Sequence, residues 1–434
     1  MEPEIPIELV YLFIEASRDS LATLLQWSLV SKQCLSEARR YKFERIELKR
    51  QFNSAGEELV SVSHRMQMLR SVLTNNKSFC AYVRYLSVDF EPLTDETASL
   101  YAMHLPAILL LLPLLSSLAI SNSGPHATYS WSKLPAQLKE SIHRCLLASS
   151  ITRLRFANFS NFSSYLVTSN PSLEHLSLEN IWRQIEVTSR MPGSIAASQR
   201  LKSISVTGKG ASALLDACIR LNPQGFSTIV AVVWPIANQR HIDVLNRAAR
   251  LCVESLQEVT LDIGLPQPFR RADFNTSNLQ NLPQVKKLTL STTIDLFFED
   301  GVDDAPGYGS HTSLFRDIVQ SQHELEVLCI KARVEAFEHA TRRPILIPNP
   351  SAWKEIDGHL CLPRSRSTLP QTSIYFTIFR EQELPDNVHL SPEYTEQMYA
   401  IRTQLQKEAN EVLCRSVGAG NTTIVIDIDS GCVL

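Results

Sequence analysis

The chain has 434 residues, 44% of them apolar and 20% charged, with a net charge of −3. That length holds two or three ordinary domains, or one short domain with a repeat array. The near-neutral charge supplies no electrostatic pull toward nucleic acid or anionic membrane, and neither is expected as a partner. Short basic clusters (Arg39-Arg40, Arg342-Arg343, Arg364-Ser365-Arg366) are isolated and read as solvated faces. The nine cysteines stand singly with no Cys-x-x-Cys pair, which argues against a zinc knuckle and against a secreted disulfide framework. The N-terminus lacks the basic start, apolar run and small-residue cleavage site of a signal peptide. An intracellular address, cytoplasm and/or nucleus, is expected.

The first element is Ile5-Pro6-Ile7-Glu8-Leu9-Val10-Tyr11-Leu12-Phe13-Ile14, an apolar helix with almost no solvent face. Pro6 suits a first helical turn, where its missing N–H would be unpaired anyway. The apolar residues divide into two stripes at helical spacing, Ile7/Val10/Tyr11/Ile14 and Leu9/Leu12/Phe13/Ala16. One stripe can serve the chain's own core. The other has too few partners in a unit of about 40 residues, so a second protein is expected to cover it. Leu24-Leu25-Gln26-Trp27-Ser28-Leu29-Val30-Ser31-Lys32 and Ala38-Arg39-Arg40-Tyr41-Lys42-Phe43 follow.

These residues resemble an F-box, the three-helix module that docks on the Skp-type adaptor of cullin–RING ubiquitin ligases. The family pattern runs Leu-Pro-x-Glu-Leu-Leu-x-x-Ile-Leu, a gap, then a Leu-rich turn ending in Val-Ser/Cys-Arg/Lys-x-Trp. Ile5, Pro6, Glu8, Leu9, Val10, Phe13 and Ile14 match the first half, and Leu24, Leu25, Leu29, Val30, Ser31 and Lys32 the second. Cys34 stands where the family has Trp, which removes a large aromatic from the expected adaptor contact. The resemblance implies adaptor binding through Pro6, Ile7, Leu9, Ile14, Leu29 and Val30. Core packing within the three helices is the alternative role for each, and an ordinary helical bundle the alternative for the module.

Residues 51–79 read as a connecting helix, with Met66, Leu69, Val72 and Leu73 at helical spacing and Asn75-Asn76-Lys77 as a stop. The apolar run 105–115 is too short for a ~30 Å hydrocarbon core and carries two prolines, so it reads as a buried helix ending at Leu112. From residue 80 one pattern, apolar-x-x-apolar-x-apolar, returns with starts at 83, 115, 151, 173, 201, 226, 256, 285 and 325. Leu173-Glu174-His175-Leu176-Ser177-Leu178 is a clear copy; the weakest begins at Phe226. Each copy ends in alternation, so Leu176 and Leu178 point inward and Ser177 out. Helix-forming stretches at 211–221, 243–252 and 313–320 lie between copies.

A strand-plus-helix unit of this size hides its apolar face only against stacked neighbours. Residues 80–360 therefore resemble a degenerate leucine-rich-repeat array that holds a target protein. The Asn or Cys that follows the strand in regular repeats is mostly absent and the period wanders. The expected form is an irregular α/β solenoid, or a sheet with helices along one side; an ordinary α/β domain is the alternative. Within 361–434, a helix at 392–415 and a strand at 423–428 read as a terminal cap.

No catalytic constellation is evident. Gly208-Lys209-Gly210 follows a strand and precedes a helix, but no acidic residue ends the next strand to hold a ribose. Asp427-Ile428-Asp429-Ser430-Gly431 resembles an aspartic-protease strand end without a second copy. His323-Glu324 lacks a second ligand at Val327. The C-terminal Gly431-Cys432-Val433-Leu434 places cysteine third from the end, where prenylation needs it fourth.

The fold class expected is α/β, with a small N-terminal F-box over 1–50, a linker over 51–79, the repeat-like region and the cap. The function expected is a non-catalytic substrate receptor of a Skp–cullin–F-box ubiquitin ligase, without cofactor or metal. It would bind the adaptor and through it a cullin scaffold. The alternatives are an interaction scaffold outside any ligase, motivated by Cys34, and a hydrolase or transferase on an α/β frame.

Overall fold

The structure, a computed structural model, describes residues 5–50, 60–90, 95–122, 129–148, 150–181, 200–208, 210–236, 238–263, 285–295, 325–336, 354, 357–358, 371–380, 392–414, 417 and 422–428. The chain is α/β. It divides into two compact units, Met1–Leu201 with Gly208–Asn222, and Lys202–Thr207 with Pro223–Leu434. Neither division falls at residue 50, 79 or 360.

The first unit opens with α1 (Ile7–Ala16), α2 (Leu21–Trp27) and α3 (Lys32–Glu44), which runs into β1 (Arg45–Leu48). Then come α4 (Val62–Asn75), α5 (Lys77–Cys80), β2 (Tyr85–Phe90), α6 (Asp95–Leu111), β3 (Ser117–Asn122), β4 (Tyr129–Ser130), α7 (Ala136–Ala148), β5 (Arg153–Ala157), β6 (Phe159–Ser160), α8 (Tyr165–Thr168), β7 (His175–Glu179) and α9 (Ala211–Leu221). Strands β1, β2, β3, β5 and β7 pair in chain order, every pair parallel. The second unit does the same with β8 (Ser203–Thr207), β9 (Ala231–Pro235), β10 (Glu258–Ile263), β11 (Lys287–Asp295), β12 (Val327–Ala336), β13 (Gln371–Arg380) and β14 (Thr422–Ile428). It also holds α10 (Gln239–Leu251) and α11 (Pro392–Val412). Parallel neighbours need a crossover, and helices supply it wherever the intervening chain is described. Among the described residues the strand order within each unit does not reverse, so they show no switch point of the kind at which doubly wound sheets hold nucleotides.

The recurring pattern explains the register. The first apolar residue of each copy (Val83, Leu115, Ile151, Leu173) is buried before the strand begins, and the next two point inward from it. The second residue then offers its carbonyl to two consecutive N–H groups of the following copy. Arg84 O accepts from Ser116 N and Ser117 N, both at 2.9 Å, and Ser116 O from Thr152 N and Arg153 N at 2.9 and 3.0 Å. In the second unit Val230 O accepts from Gln257 N and Glu258 N at 2.9 Å. This sets the frame of the weak copy. It begins at Ile229, not Phe226, with Ile229, Val232 and Trp234 buried. The unbroken apolar run there satisfies the pattern in either frame.

Besides the short pair β4 and β6, two strands of the long ladders lie where none was expected. β1 falls inside the 1–50 segment and pairs with β2 from Arg45↔Tyr85 to Leu48↔Val88. β13 lies within 361–434, its inward slots filled by Thr372 and Ile374. α11 and β14 therefore continue the same parallel ladder. The expected helix at 313–320, His323-Glu324 and the residues from Asp429 onward lie outside the described residues.

The strand ends of the first unit carry an asparagine stack. Asn158 and Asn180 follow β5 and β7 with φ of 62° and 48°, conformations asparagine tolerates. Asn158 Nδ2 donates to Asn122 O at 2.9 Å, and Asn180 Nδ2 to Asn158 Oδ1 at 3.1 Å. Gly208 takes the equivalent place after β8 with φ +71°, and a Cβ there would lie 1.9 Å from Asn180 Oδ1. The glycine turn is thus built for packing against Asn180. Gly208→Ala is expected to cost about 1–2 kcal/mol for the backbone conformation alone, and more if Asn180 leaves Asn158. A lowered thermal midpoint would register it, and Asn180→Ala in the same chain should recover only the part due to the clash.

Candidate functional site

The three N-terminal helices form a body in which α1 and α2 both pack on α3. Serines start two of them. Ser20 Oγ accepts from Thr23 N at 3.3 Å and Ser31 Oγ from Cys34 N at 3.1 Å, satisfying N–H groups that have no partner within the helix. Pro6 is the N-cap of α1, one residue before the helical turn in which it was expected. Its carbonyl accepts from Leu9 N at 3.0 Å. At the other end Ser17 Oγ donates to Phe13 O at 2.8 Å, and Trp27 Nε1 donates to Ser17 Oγ at 3.4 Å.

The core of this body is Ile14, Leu24, Cys34 and Ala38, with Val10, Tyr11, Trp27 and Tyr41 packed around it. Burial pushes the Tyr41 hydroxyl above the usual tyrosine range, and the charges of Glu15 and Glu37 add to the effect. α1 turns the Ile7/Val10/Tyr11/Ile14 stripe toward this core. Leu9, Leu12 and Phe13 of the other stripe stay exposed. Leu29 and Val30, in the turn between α2 and α3, are 86% and 64% exposed. Surface apolar residues taken singly need no explanation. Five on a body this small leave it with an uncovered apolar surface.

The sequence-derived contact residues therefore separate. Pro6, Leu9, Leu29 and Val30 are exposed and Ile7 is half-buried. Ile14 is 0% exposed, so it is a core residue and leaves the contact set. Leu12 and Phe13 join the exposed surface; the stripe pattern had already marked them. Cys34, expected at the docking contact, is 3% exposed and packs in the core. A small side chain there alters the interior, not the open surface.

Elsewhere the described residues offer little chemistry. Among them no group of three or more His, Cys, Asp or Glu converges to hold a metal, and no helix is long and apolar enough to cross a membrane. Burial pushes the Cys145 thiol up to about 11, and those of Cys218 and Cys252 to about 12. These thiols stay protonated, whereas a nucleophilic cysteine needs its thiolate. The chain matches no protein-family model and no curated protein.

The division between core and surface has a direct consequence. Ile14→Ala should cost about 2–5 kcal/mol, read as faster amide hydrogen exchange across α1 to α3. Leu29→Ala should change the same exchange by no more than about 0.5 kcal/mol.

Proposed function

We propose that the chain is the substrate-recognition subunit of a Skp–cullin–F-box type ubiquitin ligase. In this reading α1 to α3 are the F-box, and they bind a Skp-type adaptor through Pro6, Ile7, Leu9, Leu29 and Val30, with Leu12 and Phe13 beside them. The parallel ladders are an irregular leucine-rich-repeat-like array that holds a target protein. The observation that carries the proposal is the exposure of Leu9, Leu29 and Val30, positions at which the sequence resembles the family's docking motif. Burying one such side chain fully gains about 1.5–3 kcal/mol, so a partner covering several gains enough for specific binding. Cys34 is buried in the three-helix core, so its departure from the family's Trp does not fall on the exposed surface proposed to dock.

The chain itself forms no bond in this scheme. It holds adaptor and target together, and the cullin assembly brings a conjugating enzyme to the target's lysines. Fixing two reactants in reach of one another replaces a bimolecular encounter by an intramolecular one. The setting is intracellular, in cytoplasm and/or nucleus, and needs no cofactor.

Full-length chain should recover a Skp-type adaptor in a pull-down. Leu9→Asp with Val30→Asp should weaken recovery by more than about a hundredfold, since two apolar contacts are lost and two carboxylates would be buried. An unmutated chain that recovers no adaptor would refute the ligase role.

A further inference from the structure

A groove of about 230 Å³ lies between α2 and α3 and is closed by Phe79. That is smaller than the roughly 300–1,000 Å³ of small-molecule sites, and suits one large side chain. Its floor is apolar: Leu25, Leu35, Phe43 and Phe79 line it, with the two phenylalanine rings stacked at 4.5 Å. Its rim is cationic. Leu35, Arg39 and Lys42 lie on one face of α3 because their spacing is three to four residues. Arg39 Cζ sits 6.0 Å from the Phe79 ring centre and Lys42 Nζ 5.8 Å from that of Phe43.

The acids that could neutralise this rim are engaged elsewhere. Glu37 pairs with Arg40 at 3.1 Å, Glu44 with Arg18 at 3.7 Å, and Glu47 with Arg45 and Lys49 at 2.5 and 2.6 Å. Among the described residues no acidic side chain lines the groove, and neither Arg39 nor Lys42 has a carboxylate partner. Leu25 and Leu21, one helical turn apart on α2, are both exposed, and Ser28, which precedes the exposed Leu29 in sequence, also lines the groove.

We propose that this groove receives an acidic amphipathic segment of the docking partner: one large apolar side chain enters it, and flanking carboxylates meet Arg39 and Lys42. The inference rests on the docking role given above and specifies the partner's chemistry at that site. A neutral segment would gain the apolar contact alone. A basic one would meet repulsion from both cations.

The test uses full-length chain and three labelled helical peptides of one design, a central leucine flanked by glutamates, glutamines or lysines, read by fluorescence anisotropy. The glutamate peptide should bind roughly two- to thirtyfold tighter than the glutamine peptide, as expected for two exposed ion pairs, and the lysine peptide weakest. The preference should shrink as salt is raised, and vanish in Arg39→Gln with Lys42→Gln, both exposed positions that leave the core intact. Equal binding of the three peptides, no binding of any, or a preference unchanged in the double variant would each overturn the assignment. Adaptor recovery by the same protein is a separate readout. Recovery with a flat peptide series discards the groove alone, and an ordered series without recovery discards the ligase role alone.

Discussion

An α-helix with apolar residues on two sides can press only one of them against a body of three helices. α1 resolves this by committing Val10, Tyr11 and Ile14 to the interior and leaving Leu9, Leu12 and Phe13 outside. The choice is fixed by what α2 and α3 bring to the centre: Leu24, Cys34 and Ala38, one large side chain and two small ones. A core that small is filled by Ile14 and its neighbours. The surplus stays at the surface, and the proposed docking function is a consequence of it.

The two ladders depend on a different constraint. Parallel strands give no tight turn to fix their register, so a slip of one residue would carry the inward set to the open face. Here the shared carbonyl at the second position of each copy, as in Arg84 with Ser116 and Ser117, pins each strand to its predecessor. In the first unit the asparagine stack from Asn122 to Asn180, extended by Gly208, pins the opposite end of the strands. What remains free is the outward face, where Arg155 and Glu179 form a 2.7 Å ion pair and Ser121 Oγ donates to Asp89 at 2.7 Å. Not all outward positions are open, since Ser87 and Ala119 are buried at 7% and 5% exposure; those that are open would be the ones available to the proposed target.

The strands were legible because their signal is periodic: Leu173, Leu176 and Leu178 announce β7 without reference to anything distant. α9 was legible throughout its length, Ala211–Leu221, since a left-handed Gly210 precedes it and its inward face is continuous. The strand β13 escaped because Thr372, a polar residue, fills an inward slot that elsewhere holds an aliphatic one. The asparagine stack escaped because Asn158 and Asn180 stand one residue earlier than in regular leucine-rich repeats. At the N-terminus the two-stripe pattern separated Leu9 from Ile7 correctly in character. It could not place Ile14 and Cys34 in the core, because which stripe faces inward depends on side chains contributed by α2 and α3.

The central claim is that the exposed apolar surface of α1 and the α2–α3 turn is covered by a protein partner. Burial of apolar area on association lowers the heat capacity, the most dependable mark of such an interface. Calorimetric titration of full-length chain with a Skp-type adaptor at several temperatures measures it. The account predicts saturable binding whose enthalpy grows more negative on warming, and a smaller slope when Leu12 and Phe13 are replaced by serine. Binding with a heat capacity change near zero, or no binding at any temperature, would contradict it.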